Sequence, residues 1–272
     1  MEDPSRPIGI FDSGVGGLTV LKEIEKSLPN ESILYLGDTA RVPYGNKSKQ
    51  TVIRFSTQCI LFLLQKRVKL VVVACNTASS LALEYLKRIF SVPIIGVVDP
   101  AVEKALAVSK NKKIGVIGTK STIDSGIYKE KMLKKESKIE TYFCACPLFV
   151  PLVEEGLIEG EVTESLVRMY LRNLKGKIDT LILGCTHYPL LKKEIASYLE
   201  EVELVDSAQE VAYETKITLQ KHRLLNPGKK VFEEFYVTDE PLLFSQKAKV
   251  FLGREIPQPK VANDIESCGW LS

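Results

Sequence analysis

Cys75 closes an apolar stretch, LVVVAC, and is followed at once by Asn76, Thr77 and further small residues. A free cysteine is commonly a small buried apolar side chain, and such a side chain needs no polar neighbours. The residues after Cys75 suit a turn and the start of a helix instead. Because a helix start offers free backbone N–H groups and the positive end of the helix dipole, this position favours a thiolate. From this stretch alone, a core cysteine and a proton-transferring thiol both stay open.

The arrangement around Cys75 returns later in the chain, where TLILGCTH places Thr186 and His187 after Cys185. Two further pairs of stretches match in the same order: IGIFDSG at 8–14 with IGVIGTKST at 114–122, and VPYG at 42–45 with the looser VPLVEEG at 150–156. Three matches in order predict two similar halves with comparable loops at the carboxyl ends of their strands, where open α/β sheets bind ligands. We therefore expect two lobes that face each other across a cleft, each contributing one cysteine.

Two thiols facing each other across a cleft suit the inversion of a carbon that bears an acidic hydrogen. One base removes the proton from one face, and a conjugate acid returns a proton to the other face. Cysteine can serve in both forms because its ordinary pKa, about 8.5, lies near neutrality. Each thiol then needs a partner that orients it or tunes its proton affinity. Asp12, at the end of the first strand, is the candidate beside Cys75, and Glu154 and His187 are the candidates beside Cys185.

Short β-rich apolar runs alternate with stretches of helical periodicity, which predicts an α/β fold with largely parallel sheets flanked by helices. The predicted strands are 8–11, 33–36, 70–74, 94–97, 114–117, 139–143, 180–183, 203–205 and 235–238. The predicted helices include 18–27, 49–66, 79–90, 162–174, one from about 208 and one near 242–251. The sequence NPGK from position 226 predicts a turn, and the tail IPQPKVAND from position 256 is expected to be irregular.

The overall composition excludes several classes of protein. The 37 basic and 34 acidic residues give a net charge of only +3, too small to indicate a nucleic-acid or membrane partner. The sequence has no signal segment and no run near the ~18 apolar residues of a membrane helix, so we expect a cytoplasmic protein. The six cysteines form no Cys-x-x-Cys pair, and Cys144-Ala-Cys146 with two histidines in the chain does not complete a zinc site. We expect no metal.

Several of these residues also have purely structural interpretations. Asp12, His187, Thr119 and Thr122 could each cap or brace the start of a helix. The glycines at 14, 16 and 17 match part of a dinucleotide-binding fingerprint, but position 19 is threonine where that fingerprint needs glycine, and no phosphate-binding lysine follows. These glycines are better explained by a tight backbone turn beside a substrate.

Five motifs together resemble a known family: IGIFDSGVGGLTVL, GDTARVPYG, ACNTAS, PLVEEG and LGCTHYPLL. Their order and spacing resemble glutamate racemase, the cofactor-independent two-cysteine enzyme of the aspartate/glutamate racemase superfamily, over about residues 7 to 252. The resemblance implies racemisation of L- and D-glutamate without pyridoxal phosphate or another cofactor, in the service of bacterial peptidoglycan synthesis. It also implies a homodimer, a first lobe made of 1–97 with 208–272, and a second lobe made of 98–207.

The resemblance also implies a role for individual residues. Cys75 is the base for D-glutamate, assisted by Asp12, and Cys185 is the base for L-glutamate, assisted by Glu154 and His187. Of the neighbouring glutamates, the family pattern points to Glu154 and not Glu155. The implied substrate contacts are Asp12, Ser13, Pro43, Tyr44, Gly45, Cys75, Asn76, Thr77, Thr119, Thr122, Cys185, Thr186 and His187.

Other functions stay open from the sequence. An aspartate or hydantoin racemase of the same superfamily would use the same pair of thiols on a different substrate. An acyl-transfer enzyme would use Cys185 as a nucleophile activated by His187, and only that cysteine would be essential. A two-lobed binding protein would keep the cleft and carry out no proton transfer.

Overall fold

The strands of the protein form two separate sheets in which every pairing is parallel. A computed structural model describes residues 3–228, 231–263 and 265. The strands are β1 (Ile8–Asp12), β2 (Ile33–Gly37), β3 (Leu70–Val73), β4 (Ile94–Gly96), β5 (Lys113–Gly118), β6 (Glu140–Ala145), β7 (Thr180–Gly184), β8 (Glu203–Asp206), β9 (Glu233–Val237) and β10 (Lys260–Val261).

Helices cover both faces of these sheets, as inner parallel strands require when, like β1, β3 and β7, they are buried along their whole length. The α-helices are α1 (Leu18–Ser27), α2 (Lys49–Gln65), α3 (Asn76–Leu81), α4 (Leu83–Ile89), α5 (Val98–Val108), α6 (Lys120–Asp124), α7 (Ile127–Lys135), α8 (Phe149–Glu154), α9 (Glu161–Leu171), α10 (Lys192–Leu199), α11 (Ser207–His222) and α12 (Pro241–Leu252). Short 3₁₀ turns lie at Thr39–Arg41, Tyr44–Asn46 and Tyr188–Leu191. No helix in the described part of the chain is both long and apolar enough to cross a membrane.

The two sheets share one strand order. The first sheet runs β10-β9-β2-β1-β3-β4 and the second runs β6-β5-β7-β8, so that β2-β1-β3-β4 corresponds to β6-β5-β7-β8. The matched sequence stretches fall at equivalent places, because β1 and β5 have the same position in this shared order and the two cysteines follow β3 and β7, which also correspond. The prediction of two similar α/β lobes is therefore confirmed.

The C-terminal part of the chain extends the first sheet, because β9 pairs with β2 and β10 pairs with β9. Helix α12 begins with Pro241 at its first position and ends before Gly253, whose φ of +75° is the left-handed conformation that favours glycine at a helix end. The exact division into 1–97 with 208–272 and 98–207 stays a prediction.

The secondary structure predicted from the sequence was wrong in two places. The helix predicted at 79–90 begins at Asn76, with Cys75 as its N-cap residue, and it breaks at Ala82 into α3 and α4. The tail predicted to be irregular contains the short strand β10, whose backbone pairing with β9 leaves no mark in the residue pattern. Position 264 of that tail lies outside the described residues.

Candidate active site

One pocket lies where the carboxyl ends of the inner strands of both sheets meet. Its walls come from the loops after β1, β2 and β3 of the first sheet and after β5, β6 and β7 of the second. The lining residues are Ser13, Gly14, Val42, Pro43, Tyr44, Gly45, Cys75, Asn76, Thr77, Thr119, Val150, Glu154, Cys185, Thr186 and His187. The pocket is small, with a solvent-accessible volume of about 40 Å³. A wider depression of about 510 Å³ adjoins it and shares the walls at Val42, Pro43, Gly45, Thr119, Val150 and Glu154.

Both cysteines that end apolar stretches line this pocket, and their side chains are almost fully buried, with 5% exposure for Cys75 and 7% for Cys185. Each comes from a different sheet. The structure therefore brings together two thiols that are separated by more than a hundred residues in the sequence.

Cys75 lies in an environment that keeps its thiol protonated. The thiol donates a hydrogen bond to Ser13 Oγ at 3.7 Å. Burial, together with the negative charge of Asp12, raises the pKa of Cys75 to about 12, although the backbone N–H of Ala78 opposes this rise. The expectation that the helix start would favour a thiolate here is not met, because burial and a neighbouring carboxylate outweigh the helix.

Asp12 ends β1 and is fully buried beside Cys75 without lining the pocket. Its Oδ2 accepts a hydrogen bond from the backbone of Gly14 at 3.0 Å, whereas Oδ1 has no hydrogen-bond partner among the described residues. Burial raises the pKa of Asp12, against the opposing charge of His187 and the backbone N–H groups of the turn. Asp12 is not the cap of α1, whose N-cap residue is Gly17.

Cys185 is followed by a turn instead of a helix, in which the backbone N–H of Tyr188 donates to the Cys185 carbonyl at 3.1 Å. The sulfur lies 3.9 Å from His187 Nδ1. On the other side of the ring, His187 Nε2 lies 3.0 Å from Glu154 Oε1. Glu154 Oε2 in turn accepts a hydrogen bond from Lys247 Nζ at 2.9 Å. A continuous chain of polar groups thus connects Cys185 to α12.

The charges of His187, Glu154 and Lys247 stabilise one another. Burial lowers the pKa of His187, but its hydrogen bonds with Cys185 and Glu154 and the nearby negative charges outweigh burial and raise that pKa to about 10. The hydrogen bond with His187, with help from Lys247 and against the effect of burial, lowers the pKa of Glu154 to about 2. At neutral pH the imidazole is therefore a cation 3.9 Å from the Cys185 sulfur.

Hydroxyl groups from both lobes meet at another wall of the pocket. Thr77 Oγ1 lies 3.0 Å from Thr119 Oγ1 and 3.2 Å from Thr122 Oγ1. Thr119 is also the N-cap of α6, where its side chain accepts from the Thr122 backbone N–H, so the capping interpretation of Thr119 holds beside its place in the pocket wall. Asn76 Nδ2 donates to Tyr128 OH at 2.9 Å, and Asn76 Oδ1 has no partner in the described part of the chain.

Two glycines allow the lobes to approach this closely. A Cβ at Gly16 would lie 2.4 Å from Thr186 Oγ1 and 2.5 Å from His187 Nδ1, closer than atoms can pack. A Cβ at Gly45 would lie 2.6 Å from Thr119 Cβ. The glycine-rich turn after β1 therefore fits against the Cys185 loop, which agrees with the interpretation of a tight turn.

Most of the residues singled out in the sequence come together here, but two lie outside the pocket lining. Asp12 and Thr122 are buried behind it, in contact with residues that do line it. The geometry also distinguishes the two neighbouring glutamates, because Glu154 contacts His187 whereas Glu155 is exposed and lines only the outer depression.

Sequence reasoning missed some residues of the site. Lys247 and Tyr128 belong to no motif, and each reaches the site from a helix that motif spacing does not place. An amphipathic helix with a lysine on one face is too common a pattern to identify Lys247. Val42 and Val150 could have been found, because they begin the matched motifs VPYG and VPLVEEG, and Gly14 was already expected in a turn beside the substrate.

The fold and the site together define a class of protein: two parallel-sheet lobes that share a four-strand order and present one thiol each to a small pocket between them. The Asp/Glu/Hydantoin racemase family matches residues 8–215. The chain belongs to this family.

Relatives with known names cover almost the whole chain. A glutamate racemase of Aquifex aeolicus (strain VF5) is 52% identical over 258 residues, which are 95% of this chain and 98% of that protein. The crystal structure of glutamate racemase from Francisella tularensis subsp. tularensis SCHU S4 in complex with D-glutamate is similar with a TM-score of 0.91 at 39% identity, covering 97% of this chain and 99% of that one. The glutamate racemase from Thermus thermophilus in complex with beta-chloro-D-alanine has a TM-score of 0.88 at 45% identity, with 96% and 98% covered.

Proposed function

We propose that the protein is a glutamate racemase that inverts the α-carbon of glutamate with Cys75 and Cys185 as its two acid/base groups. The observation that carries this proposal is the pair of nearly buried thiols, one from each lobe, in one pocket. Glutamate as the substrate is supported by the names of relatives that match almost the whole chain, one of which was solved with D-glutamate bound.

The neighbours of the two thiols suit them to different roles. Cys75 beside Asp12 is the thiol, because its pKa is raised to about 12 by burial and by that carboxylate, whereas Cys185 lies 3.9 Å from the His187 ring. Cys185 takes the α-hydrogen of L-glutamate as a proton, and Cys75 donates its proton to the opposite face to give D-glutamate. A protonated Cys75 therefore suits the direction from L-glutamate to D-glutamate.

The reverse reaction needs the protons to change places. D-glutamate must be deprotonated by a Cys75 thiolate, and Cys185 must carry a proton. Asp12 is suited to accept the Cys75 proton, because burial raises the pKa of Asp12 and its Oδ1 has no partner among the described residues. His187 is suited to protonate Cys185, since the ring lies 3.9 Å from the sulfur.

The polar lining suits an amino acid with two carboxylates. Hydroxyl and amide groups of Ser13, Asn76, Thr77, Thr119 and Thr186, with the backbone N–H groups of Tyr44 and Gly45, provide donors for carboxylate oxygens. Pro43 has no N–H and forms part of the wall. The free Oδ1 of Asn76 is an acceptor for the substrate ammonium group. Thr122 and Asp12 act through their contacts with these residues.

The small volume of the pocket implies that the lobes open for substrate and close for the reaction. A solvent-accessible volume of about 40 Å³ leaves little room for water beside the reacting carbon. Exclusion of water strengthens the electrostatic stabilisation of the carbanionic charge that develops when a weakly acidic hydrogen leaves. The wider depression next to the pocket is the entry path.

The wider biological role rests on the resemblance to glutamate racemases. We propose that the D-glutamate product is used in bacterial peptidoglycan synthesis, and that the protein acts in the cytoplasm as a homodimer. The lobe division at 97/98 and 207/208 belongs to the same proposal.

Incubation of L-glutamate with the purified protein in deuterium oxide, without added cofactor, tests the function. We expect the optical rotation to fall to zero and the D-glutamate formed to carry deuterium at the α-carbon. Product that keeps the original hydrogen contradicts the two-base proposal. Parallel incubations with aspartate and with a hydantoin test the substrate, and turnover of either one in place of glutamate would contradict it.

A further inference from the structure

The Cys144-Ala-Cys146 motif takes no part in the proposed proton transfer, yet the structure places its two sulfurs in contact. Cys144 lies near the end of β6 and Cys146 in the following loop, and Cys146 Sγ donates a hydrogen bond to Cys144 Sγ at 3.9 Å. Among the described residues, no third His, Cys, Asp or Glu joins the pair in a group that could hold a metal ion.

The two thiols differ in access and in acidity. Cys144 is half-buried, whereas Cys146 is fully buried. The hydrogen bond from Cys146 lowers the pKa of Cys144, against the effect of burial, and burial raises the pKa of Cys146. An accessible thiol with a lowered pKa next to a second thiol is the arrangement found at cysteines that react with oxidants.

We propose that Cys144 and Cys146 form a reversible thiol pair that a peroxide oxidises to an intramolecular disulfide. The Cys144 thiolate attacks hydrogen peroxide, the O–O bond breaks, and with one proton the products are the Cys144 sulfenic acid and water. The Cys146 sulfur then attacks the Cys144 sulfur, an S–S bond forms, and a second water leaves with the thiol proton. Two thiols and one peroxide thus give one disulfide and two waters.

The disulfide has a geometry that favours easy reduction. Residues two apart on an extended strand have Cα atoms about 6.6 Å apart. This separation lies near the upper end of the range of about 4.4–6.8 Å that disulfides tolerate. A bond at the limit of that range is readily reduced by cellular thiols, as expected for a reversible modification and not for a structural disulfide.

Oxidation of the pair moves residues that hold the Cys185 side of the pocket. The Cys146 backbone N–H donates to Gly118 O at 2.9 Å, and the Cys146 carbonyl accepts from Tyr188 OH at 2.9 Å. Phe149, the first residue of α8, packs edge-on against Tyr188. The sulfurs must come closer by almost 2 Å, from the present 3.9 Å to the bond length of about 2.05 Å. Because α8 ends in Glu154, this movement disturbs the contact between Glu154 and His187.

The modification is tested by treating the protein with hydrogen peroxide and mapping its tryptic peptides by mass. The peptide 139–168 contains Cys144, Cys146 and no other cysteine, so a loss of two hydrogens there identifies the disulfide. We expect this loss in the wild type, its reversal by dithiothreitol, and its absence in Cys144→Ala. An unchanged peptide in the oxidised wild type overturns the proposal.

The effect on the reaction rests on the proposed racemase function and is measured separately. We expect oxidation to reduce the racemisation rate about 10- to 100-fold, since a displacement near 1 Å in a catalytic site has this order of effect. Dithiothreitol should restore the rate, and Cys144→Ala should have normal activity and keep it in peroxide. If Cys144→Ala is inactivated as fast as the wild type, the loss occurs at Cys75 or Cys185 and the regulatory part is overturned. If neither form racemises glutamate but the peptide is cross-linked, the proposed function fails while the thiol pair stands.

Discussion

The two lobes share one topology, yet they surround their cysteines with opposite charges. Cys75 follows β3 and lies beside the buried carboxyl group of Asp12, which together with burial raises its pKa to about 12. Cys185 follows the equivalent strand β7 and lies 3.9 Å from a histidine ring whose pKa is raised to about 10. Topology therefore places the two thiols at equivalent positions, and their neighbouring side chains make the two environments different.

This difference affects the individual steps of the reaction and not its equilibrium. Since enantiomers have equal free energy, kcat/KM for the two directions must stay equal in every variant. A change beside one cysteine can therefore alter kcat and KM by different factors for the two enantiomers. It can also change the pH dependence of the reaction, or the exchange of the α-hydrogen with solvent for one enantiomer and not the other. Substitutions around Cys75 and around Cys185 test whether the two cysteines act separately in this way.

The largest effects are expected when either thiol is replaced. Cys75→Ser and Cys185→Ser should each lower the racemisation rate by about 10³-fold or more, because a serine hydroxyl is a far weaker acid and each thiol supplies one of the two proton transfers. Polarimetry with both enantiomers measures the loss, and Cys59→Ser, at a buried cysteine outside the pocket, is the control for folding. Full activity in either of the first two variants would exclude two essential thiols.

Gly16→Ala should act through the Cys185 side alone. The new Cβ would lie 2.4 Å from Thr186 Oγ1 and 2.5 Å from His187 Nδ1, so these groups must move. We expect a loss of about 10- to 100-fold in kcat from misplacement of the His187 ring. Circular dichroism and the unfolding temperature check that the variant folds, and a folded variant of normal activity would show that the close approach at Gly16 has no role.

Glu154→Gln should shift the pH dependence of the reaction. Burial alone lowers the pKa of His187, and its hydrogen bonds with Cys185 and Glu154 raise it to about 10. The wild type should thus lose activity with L-glutamate as the pH rises through about 10, when the imidazolium loses its proton. Without the Glu154 charge this loss should occur at lower pH, with kcat about tenfold lower near neutrality. The exposed neighbour allows a matched control, Glu155→Gln, whose profile should equal that of the wild type.

The same groups give a pH dependence of stability with a definite sign. The pKa of His187 is raised from 6.5 to about 10 on folding, so its stabilisation is complete below about 6.5 and is lost as the pH rises through about 10. The pKa of Glu154 is lowered from 4.5 to about 2, so its stabilisation is present above about 4.5 and is lost as the pH falls through about 2. Denaturant unfolding of the wild type and Glu154→Gln over this range checks both signs, and parallel curves would contradict them.

The smallest effect is expected at Lys247→Met. This change removes the ion pair that holds Glu154 Oε2 and leaves the contact between Glu154 and His187 in place. We expect kcat to fall about three- to fivefold, as suits a partly exposed ion pair worth about 1 kcal/mol or less. Lys249→Met, in the same helix but paired with the exposed Glu255, should leave kcat unchanged. Equal effects of the two substitutions would mean that Lys247 does not position Glu154.

The topology and the pair of cysteines could be predicted from the sequence because both produce local residue patterns. A buried parallel strand is an apolar run, and the repeat of LVVVAC as TLILGC placed the thiols in equivalent loops. The electrostatics could not be predicted in this way. The raised pKa of Cys75 depends on burial beside Asp12. The residue pattern after Cys75 indicated only a helix start, which on its own favours a thiolate. Lys247 was missed because its contact with Glu154 spans 93 residues and follows from the packing of α12.

Hydrogen exchange in the single cysteine variants tests the central claim most directly. Each enantiomer is incubated in deuterium oxide with Cys75→Ser or Cys185→Ser, and deuterium at the α-carbon is measured by NMR. With Cys75→Ser we expect deuterium to enter L-glutamate only, because Cys185 can still remove and return the proton on its own face. With Cys185→Ser we expect deuterium to enter D-glutamate only. Exchange of both enantiomers in one variant, or of the opposite enantiomer in each, would contradict the assignment of one thiol to each face.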